Sequence, residues 1–190
     1  MSTTRTVGVV YGIPPQPPVA ELTRYLDAGP VRIGVEYRTV DPEGLVATYA
    51  HDPDQLRELI ERSPEGGFTD EGVSLHVLGA DDGHEYLRFD VFDDEPHYHY
   101  NHAGGEVVNN VVAFDDVAHG EMLPWVLGCL RGRLPAMLAR AGGGHLVPAL
   151  DQATLDRVVD EVGVLAAQAQ RELREQRAAR EGSQHETAGS

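Results

Sequence analysis

The feature that most constrains the fold is the segment at residues 72–92, GVSLHVLGADDGHEYLRFDVF, in which apolar and polar residues alternate on both sides of a turn. Alternation with a period of two is typical of β-strands that bury one face. The turn at residues 81–83 ends in Gly83, which suits the left-handed position of a three-residue hairpin loop. That loop length pairs Val77 with Leu87 and therefore predicts which side chains share a face.

The predicted hairpin has one apolar face and one polar face. The apolar face consists of Val73, Leu75, Val77, Leu87, Phe89 and Val91. The polar face consists of Ser74, His76, Tyr86, Arg88 and Asp90. An antiparallel sheet commonly packs one face against a core and leaves the other in solvent, so an open polar face is one interpretation of this pattern. A pocket that encloses the same residues is the other.

Other segments extend the hairpin into an α+β fold. Strands are predicted at residues 5–13 and 31–40, and HYHYN forms a second hairpin with EVVNNVVAF. VAELTRYLDAG has helical spacing and ends at a glycine, and DPDQLRELIERS begins with a capping aspartate, Asp52. We therefore predict a mainly antiparallel sheet of about six strands with early inserted helices.

Two long helices are predicted after the sheet. HGEMLPWVLGCLRGRLPAMLARAGGG is apolar on a broad face, and Pro124 and Pro135 are expected to start or bend it. LDQATLDRVVDEVGVLAAQAQRELREQRAAR is predicted as one long amphipathic helix. Residues 1–181 are predicted to form a single domain, and the polar residues 182–190 a disordered tail.

A histidine-rich strand follows the hairpin at residues 97–102, HYHYNH. Residues two apart in a strand share a face, so His97 and His99 point together, and Tyr98 and Tyr100 point the other way. The tyrosine rings belong with the apolar face, since most of each ring is apolar. By elimination, the polar face gathers His97 and His99 with His76, Arg88 and Asp90.

A metal site is one interpretation of this cluster. Neutral imidazoles and a carboxylate suit zinc or ferrous iron, and catalytic sites commonly combine three protein ligands with an open position. His97 and His99 are two predicted ligands. The third is left open among His102, Asp90, Glu106 and His76. The His-x-His pair resembles the cupin motif, but the acidic residue that follows is spaced differently, and we do not assign the chain to that family.

The same face supplies candidate catalytic residues. The Arg88 guanidinium matches the geometry of a substrate carboxylate and could align it. Tyr86 and His76 could donate or accept a proton, and these roles would also serve a metal-free pocket for an organic acid. The apolar helix around Trp125 is expected to cover the pocket and exclude water.

Composition excludes several classes of function. The net charge of −16 argues against binding to nucleic acid and to anionic membranes. All 15 basic residues are arginines, which excludes lysine Schiff bases and the phosphate-loop lysine. A single cysteine, Cys129, excludes an internal disulfide. Without a secretory signal or a long apolar run, we expect a cytoplasmic protein, and the use of arginine for lysine suggests a GC-rich bacterial genome.

Two functions are carried forward from the sequence. The first is an enzyme or binding protein for a small, carboxylate-bearing ligand, with zinc or ferrous iron as the candidate cofactor. The second is a non-catalytic binding or assembly module, in which the C-terminal helix beyond Leu173 pairs with a second copy as a homo-oligomer.

Overall fold

The structure, a computed structural model, describes residues 7–62, 68–103 and 108–188. Within these ranges, seven strands form one antiparallel sheet. The strands are β1 (Val9–Tyr11), β2 (Thr23–Ala28), β3 (Val31–Val40), β4 (Asp70–Gly79), β5 (Glu85–Phe92), β6 (His97–His102) and β7 (Val108–Ala113). Their order across the sheet is β1-β7-β6-β5-β4-β3-β2. The predicted α+β class is confirmed, with seven strands in place of about six.

Two helices are inserted between β3 and β4, and the other helical segments follow β7. They are α1 (Pro42–Tyr49), α2 (Pro53–Arg62), α3 (Asp116–His119), α4 (Met122–Gly132), α5 (Leu134–Arg140), a 3-10 helix (Gly144–Ala149) and α6 (Gln152–Ala188). Asp41 and Asp52 stabilise the starts of α1 and α2, because each carboxylate accepts hydrogen bonds from first-turn N–H groups. In the described part of the chain, no helix is long and apolar enough to cross a membrane.

The hydrophobic core lies between the sheet and the helices that follow it. The predicted apolar face of the hairpin packs there against α4, α5 and α6. The predicted pairs Val73–Val91, Leu75–Phe89 and Val77–Leu87 are all present. Because this face is fully used by the core, the opposite face of the same strands is left for polar residues.

The loop of the β4–β5 hairpin differs from the prediction by one residue. The Gly79 N–H donates to the His84 carbonyl, so residues 80–83 form the turn. Gly83 has the expected left-handed φ, at 67°. A β-bulge in β5 adds Tyr86 to that strand and restores the predicted register beyond it. The bulge also reverses which neighbouring side chains face the core.

The segment at residues 19–29, predicted as a helix, instead contains strand β2. It pairs with β3, and Gly29, with φ 72°, belongs to the turn between them. The apolar residues that suggested a helical stripe are not buried together, because Leu22 and Tyr25 are 60% and 38% exposed. A run this short fits either periodicity, and pairing with the long neighbouring strand decided the outcome.

The first of the two helices predicted after the sheet also requires correction. It is divided into α4 and α5 at Arg133, with Pro135 in the first turn of α5, as expected of a proline that starts a helix. The second is present as one long helix, α6, which ends at Ala188, and the domain boundary predicted at residue 181 stays a prediction. Pairing of this end with a second copy stays a prediction.

The layered core predicts a large cost for a cavity beneath the sheet. Leu130 of α4 is fully buried, so Leu130→Ala should lower the free energy of unfolding by about 2–5 kcal/mol. Leu22→Ala, at a leucine that is 60% exposed, is the matched control and should change stability little. Urea denaturation followed by circular dichroism measures both variants. Equal effects would contradict this placement of the core.

Candidate metal centre

The polar face of the sheet is enclosed, and the interpretation that it is open to solvent is wrong. Helices α1 and α2 and residues 13–17 (the strap) lie over it around a pocket of about 580 Å³. The side chains of His76, Arg88 and Asp90 lie on this face and are no more than 3% exposed. The enclosure places these residues in a setting of low polarity, where electrostatic interactions are strong.

The helix around Trp125 does not cover this pocket, contrary to the expectation from the sequence. Trp125 packs against Phe89 and Tyr98, which belong to the apolar face of the sheet. The strap takes the covering role instead. The Tyr49 hydroxyl of α1 donates to the Pro14 carbonyl at 2.7 Å and holds the strap in place.

Asp90, His97 and His99 form the centre of the polar face. Pairing of β5 with β6 places Asp90 opposite His97 and Arg88 opposite His99. One ligand atom from each of the three residues lies within 4.8 Å of the others. Oδ2 of Asp90 is 3.3 Å from Nε2 of His97 and 2.9 Å from Nε2 of His99. Ligands of a tetrahedral zinc ion at bond lengths of about 2.0–2.2 Å lie about 3.3–3.5 Å apart, so small shifts would admit an ion.

The hydrogen bonds of the two imidazoles define which nitrogens are free. Nδ1 of His97 lies 2.6 Å from the Glu95 carbonyl, and Nδ1 of His99 lies 2.8 Å from Oδ1 of Asn109. A carbonyl oxygen only accepts, so each Nδ1 carries the proton. In a neutral imidazole the Nε2 atom is then unprotonated and carries a free lone pair. Both bare nitrogens face a carboxylate oxygen, which also only accepts.

Two Nε2 atoms and a carboxylate oxygen, all of which are acceptors, therefore face one another. Either extra protons on the rings or a metal cation between the three atoms would relieve their mutual repulsion. The hydrogen bond with Asp90 raises the pKa of His97 even though burial lowers it. For His99, burial together with the charges of His97 and Arg88 outweighs Asp90, and its pKa is lowered. Protonation therefore satisfies only one of the two rings readily. A divalent cation satisfies both, and the carbonyl partners at Nδ1 are those that metal-binding histidines usually have.

Asp90 is held as a carboxylate. Burial alone would raise its pKa, but the neighbouring imidazoles of His97 and His99 hold that pKa well below its usual range. The Ser74 hydroxyl donates to the other oxygen, Oδ1. Ser74 thereby orients the carboxylate and leaves Oδ2 directed at the two imidazoles.

A second buried network lies beside the three residues. Both ring nitrogens of His76 face carboxylates, Nε2 at 2.9 Å from Oε2 of Glu36 and Nδ1 at 2.6 Å from Oε1 of Glu85. These bonds raise the pKa of His76 against the opposing effect of burial. Glu85 also accepts two hydrogen bonds from Arg88, at 2.8 and 2.6 Å. His76 is therefore fully occupied and is not available as a metal ligand.

The structure separates two predicted residues from the site. Tyr86 was expected on the polar face, but the bulge turns it into the core beside Gly143, and its hydroxyl donates to Asp82. His102 follows Tyr100 onto the opposite side of β6 and accepts a hydrogen bond from Asn110. Neither can reach the His97–His99 pair. The remaining alternative ligand, Glu106, lies outside the described residues.

Arg88 lines the pocket, but the two guanidinium N–H groups that could bind a carboxylate together are not directed at a ligand. Nε and Nη2 are both engaged by Glu85, which leaves Nη1 as the nitrogen that Glu85 does not use. Its predicted role in aligning a substrate carboxylate is thereby reduced to one donor and a positive charge.

Four residues of the site were missed by sequence reasoning: Glu36, Arg38, Glu85 and Asn109. Glu36 and Arg38 alternate with the apolar residues of β3, so extension of the face rule to that strand could have found them. Asn109 could have been found from the β6–β7 pairing, which places it opposite Asn101. No sequence pattern could have placed Glu85 in the site, because the side of the sheet that it occupies depends on the bulge.

The fold and the site define an α+β protein with a candidate Asp-His-His metal centre in an enclosed pocket on one face of its sheet. Residues 25–166 match the family described as "Domain of unknown function (DUF7700)". The chain belongs to this family. No curated protein and no solved structure gives a significant match. The matched range contains the three central residues and the second network, but not strand β1 or the strap.

The second network predicts a pH-dependent contribution to stability. Burial would raise the pKa of Glu85, but Arg88 and His76 lower it to about 2 from the ordinary value of 4.5. Its contribution is therefore present above pH 4.5 and is lost as the pH falls towards 2. Glu85→Gln should cost about 3–5 kcal/mol at pH 7, because Arg88 loses its buried partner.

Denaturation of wild type and Glu85→Gln at a series of pH values tests this. The difference in unfolding free energy should shrink as the solution is acidified from pH 5 to pH 2, within the range in which the wild type folds. Glu161→Gln, at a half-exposed surface pair with Arg157, is the control and should show little difference at any pH. A difference that stays constant down to pH 2 would contradict the lowered pKa.

Proposed function

We propose that the protein is a metal-dependent enzyme that acts on a small anionic molecule, with zinc or ferrous iron held by Asp90, His97 and His99. The single observation that carries this proposal is the pair of imidazoles whose Nδ1 atoms are satisfied by carbonyl oxygens while both Nε2 atoms face one carboxylate oxygen. The donor set of two imidazoles and one carboxylate suits both metals.

Three protein ligands leave coordination positions for a substrate or water. A bound ion of this kind would polarise a substrate oxygen or lower the pKa of a bound water. The chain's own residues hold the site in shape: Ser74 orients Asp90, and Asn109 orients His99. The enclosure by α1, α2 and the strap supports chemistry that needs bulk water excluded.

The metal requirement is tested on purified protein loaded with Zn²⁺, or with Fe²⁺ under anaerobic conditions, and then desalted. Wild type should retain about one equivalent of metal by mass spectrometric elemental analysis, because three ligands converge. His97→Ala/His99→Ala and Asp90→Asn should lose it. His102→Ala removes a histidine from the same strand but the opposite face, so it should retain metal.

Two results would contradict the proposal. One is the absence of retained metal in a folded wild-type protein together with no change of melting temperature on addition of either ion. The other is equal retention of metal by His102→Ala and by Asp90→Asn, which would mean that Asp90 is not the third ligand.

The partner of His99 makes a finer prediction. Asn109→Ala removes the acceptor that holds the ring orientation and keeps the proton on Nδ1, so metal affinity should fall about 10–100-fold. Asn101→Ala, at the residue paired with Asn109 across the strands, is the matched control. Competition of each variant with a chelating dye measures the affinity. An unchanged affinity in Asn109→Ala would show that this hydrogen bond does not support the site.

A further inference from the structure

Six charged residues beneath the pocket, counted apart from the His97 and His99 imidazoles, carry a net charge of zero. Each ring nitrogen of His76 faces a carboxylate, so the group of two glutamates and one histidine shares one extra proton and carries a net charge of −1. Asp90 adds another negative charge. Two arginines oppose them. The residues in this balance are Glu36, His76, Glu85, Asp90, Arg38 and Arg88.

A divalent cation at the Asp-His-His centre would bring these six residues to a net charge of +2, and the buried carboxylate of Asp70 on the same face lowers the total to +1. His97 and His99 add no charge when they bind a metal, since ligand imidazoles are neutral. Unbalanced charge away from water is costly, and Arg88 and Asp90 are each only 3% exposed. The bound state is therefore stabilised by a ligand that brings negative charge of its own.

Arg38 gives an independent indication of the same kind. It is 5% exposed and lines the pocket, and its Nη1 atom is buried without a hydrogen-bond partner. The nearest carboxylate oxygen, Oε2 of Glu36, lies 3.6 Å away. Nη2 is used to hold the strap through the carbonyls of Gln16 and Pro17. An unsatisfied charged donor beside a second guanidinium is a feature that a bound anion would relieve.

Much of the remaining lining is apolar and rich in aromatic rings, although Gln16, Arg62, Asp94 and Glu95 also line the pocket. The strap contributes Ile13, α1 contributes Leu45, and α2 contributes Leu59. Phe68 and Phe92 add two rings near the charged floor. A volume of about 580 Å³ lies within the range of pockets that hold organic ligands. The walls can therefore bury a ring that a small inorganic anion does not have.

We propose that the ligand of this pocket is an organic acid with one carboxylate and an apolar, ring-bearing body. The carboxylate lies at the charged floor beside the metal centre and the two arginines, and the body lies under α1, α2 and the strap. This inference rests on the proposed metal-dependent function and specifies its substrate class.

Isothermal titration of the zinc-loaded protein tests the assignment with three probes. They are 3-phenylpropanoate, which has both parts, propanoate, which lacks the ring, and 3-phenylpropanol, which lacks the charge. The complete probe should bind at least about tenfold more tightly than either fragment, since burial of a ring and pairing of a carboxylate each exceed about 1.4 kcal/mol.

A matched pair of variants locates the ring. Leu45→Trp fills the pocket from α1, whereas Val46→Trp places the same side chain on the exposed side of that helix, where Val46 is 43% exposed. Leu45→Trp should weaken 3-phenylpropanoate at least about tenfold and leave both propanoate binding and zinc content unchanged. Val46→Trp should change none of these.

The outcomes separate this inference from the proposed function. Retained zinc with no preference for 3-phenylpropanoate over both fragments overturns the substrate class and leaves the metal enzyme standing. Equal effects of the two tryptophan variants also overturn it, because the ring would not lie under α1. Failure of the wild type to retain zinc or ferrous iron removes the metal centre and this inference with it.

Discussion

Buried charge that must be paired is the constraint on which the rest of this structure depends. The polar face of the central strands carries carboxylates, imidazoles and guanidiniums that are almost completely shielded from water. Such groups are stable only with partners in good geometry. The rungs of the antiparallel sheet supply them, because residues directly opposite in neighbouring strands share a face: Glu36 is paired with Ser74, Ser74 with Asp90, and Asp90 with His97. A shift of one residue in any strand would separate these partners.

The sequence was sufficient to predict this face where alternation was uninterrupted. His76, Arg88, Asp90, His97 and His99 follow from the hairpin register and the two-residue period, and the structure brings them together. Tyr86 and Glu85 could not be placed in the same way. A four-residue turn compensated by a bulge gives the same pairing beyond the bulge as the three-residue loop. Only the side chains at the bulge differ, and no local preference in the sequence distinguishes the two solutions.

The cover of the pocket was harder to predict than its floor. Helix α1 begins with Asp41-Pro42, the same start signal that identified α2 at Asp52-Pro53, so its existence was available from the sequence. Its position over the polar face was not. That position depends on long-range contacts with the strap, such as the hydrogen bond from Gln16 to Thr48. Contacts of this kind leave no periodic pattern, and the apolar helix around Trp125 was a misleading alternative because its broad apolar face is used by the core.

The cover also explains why one sheet can hold a core and a site at once. Layers on both faces of the sheet exclude water from both. The helices after β7 pack against aliphatic and aromatic side chains, whereas α1, α2 and the strap pack over charged side chains. Arg38 connects the charged floor of the pocket with its cover. Its guanidinium lies next to Glu36 and also donates hydrogen bonds to the strap carbonyls. Closure of the strap and neutralisation of the floor are therefore linked through one side chain. Movement of the strap away from the sheet would expose Arg38 and Glu36 to water, so access to the pocket and the electrostatics of its floor change together.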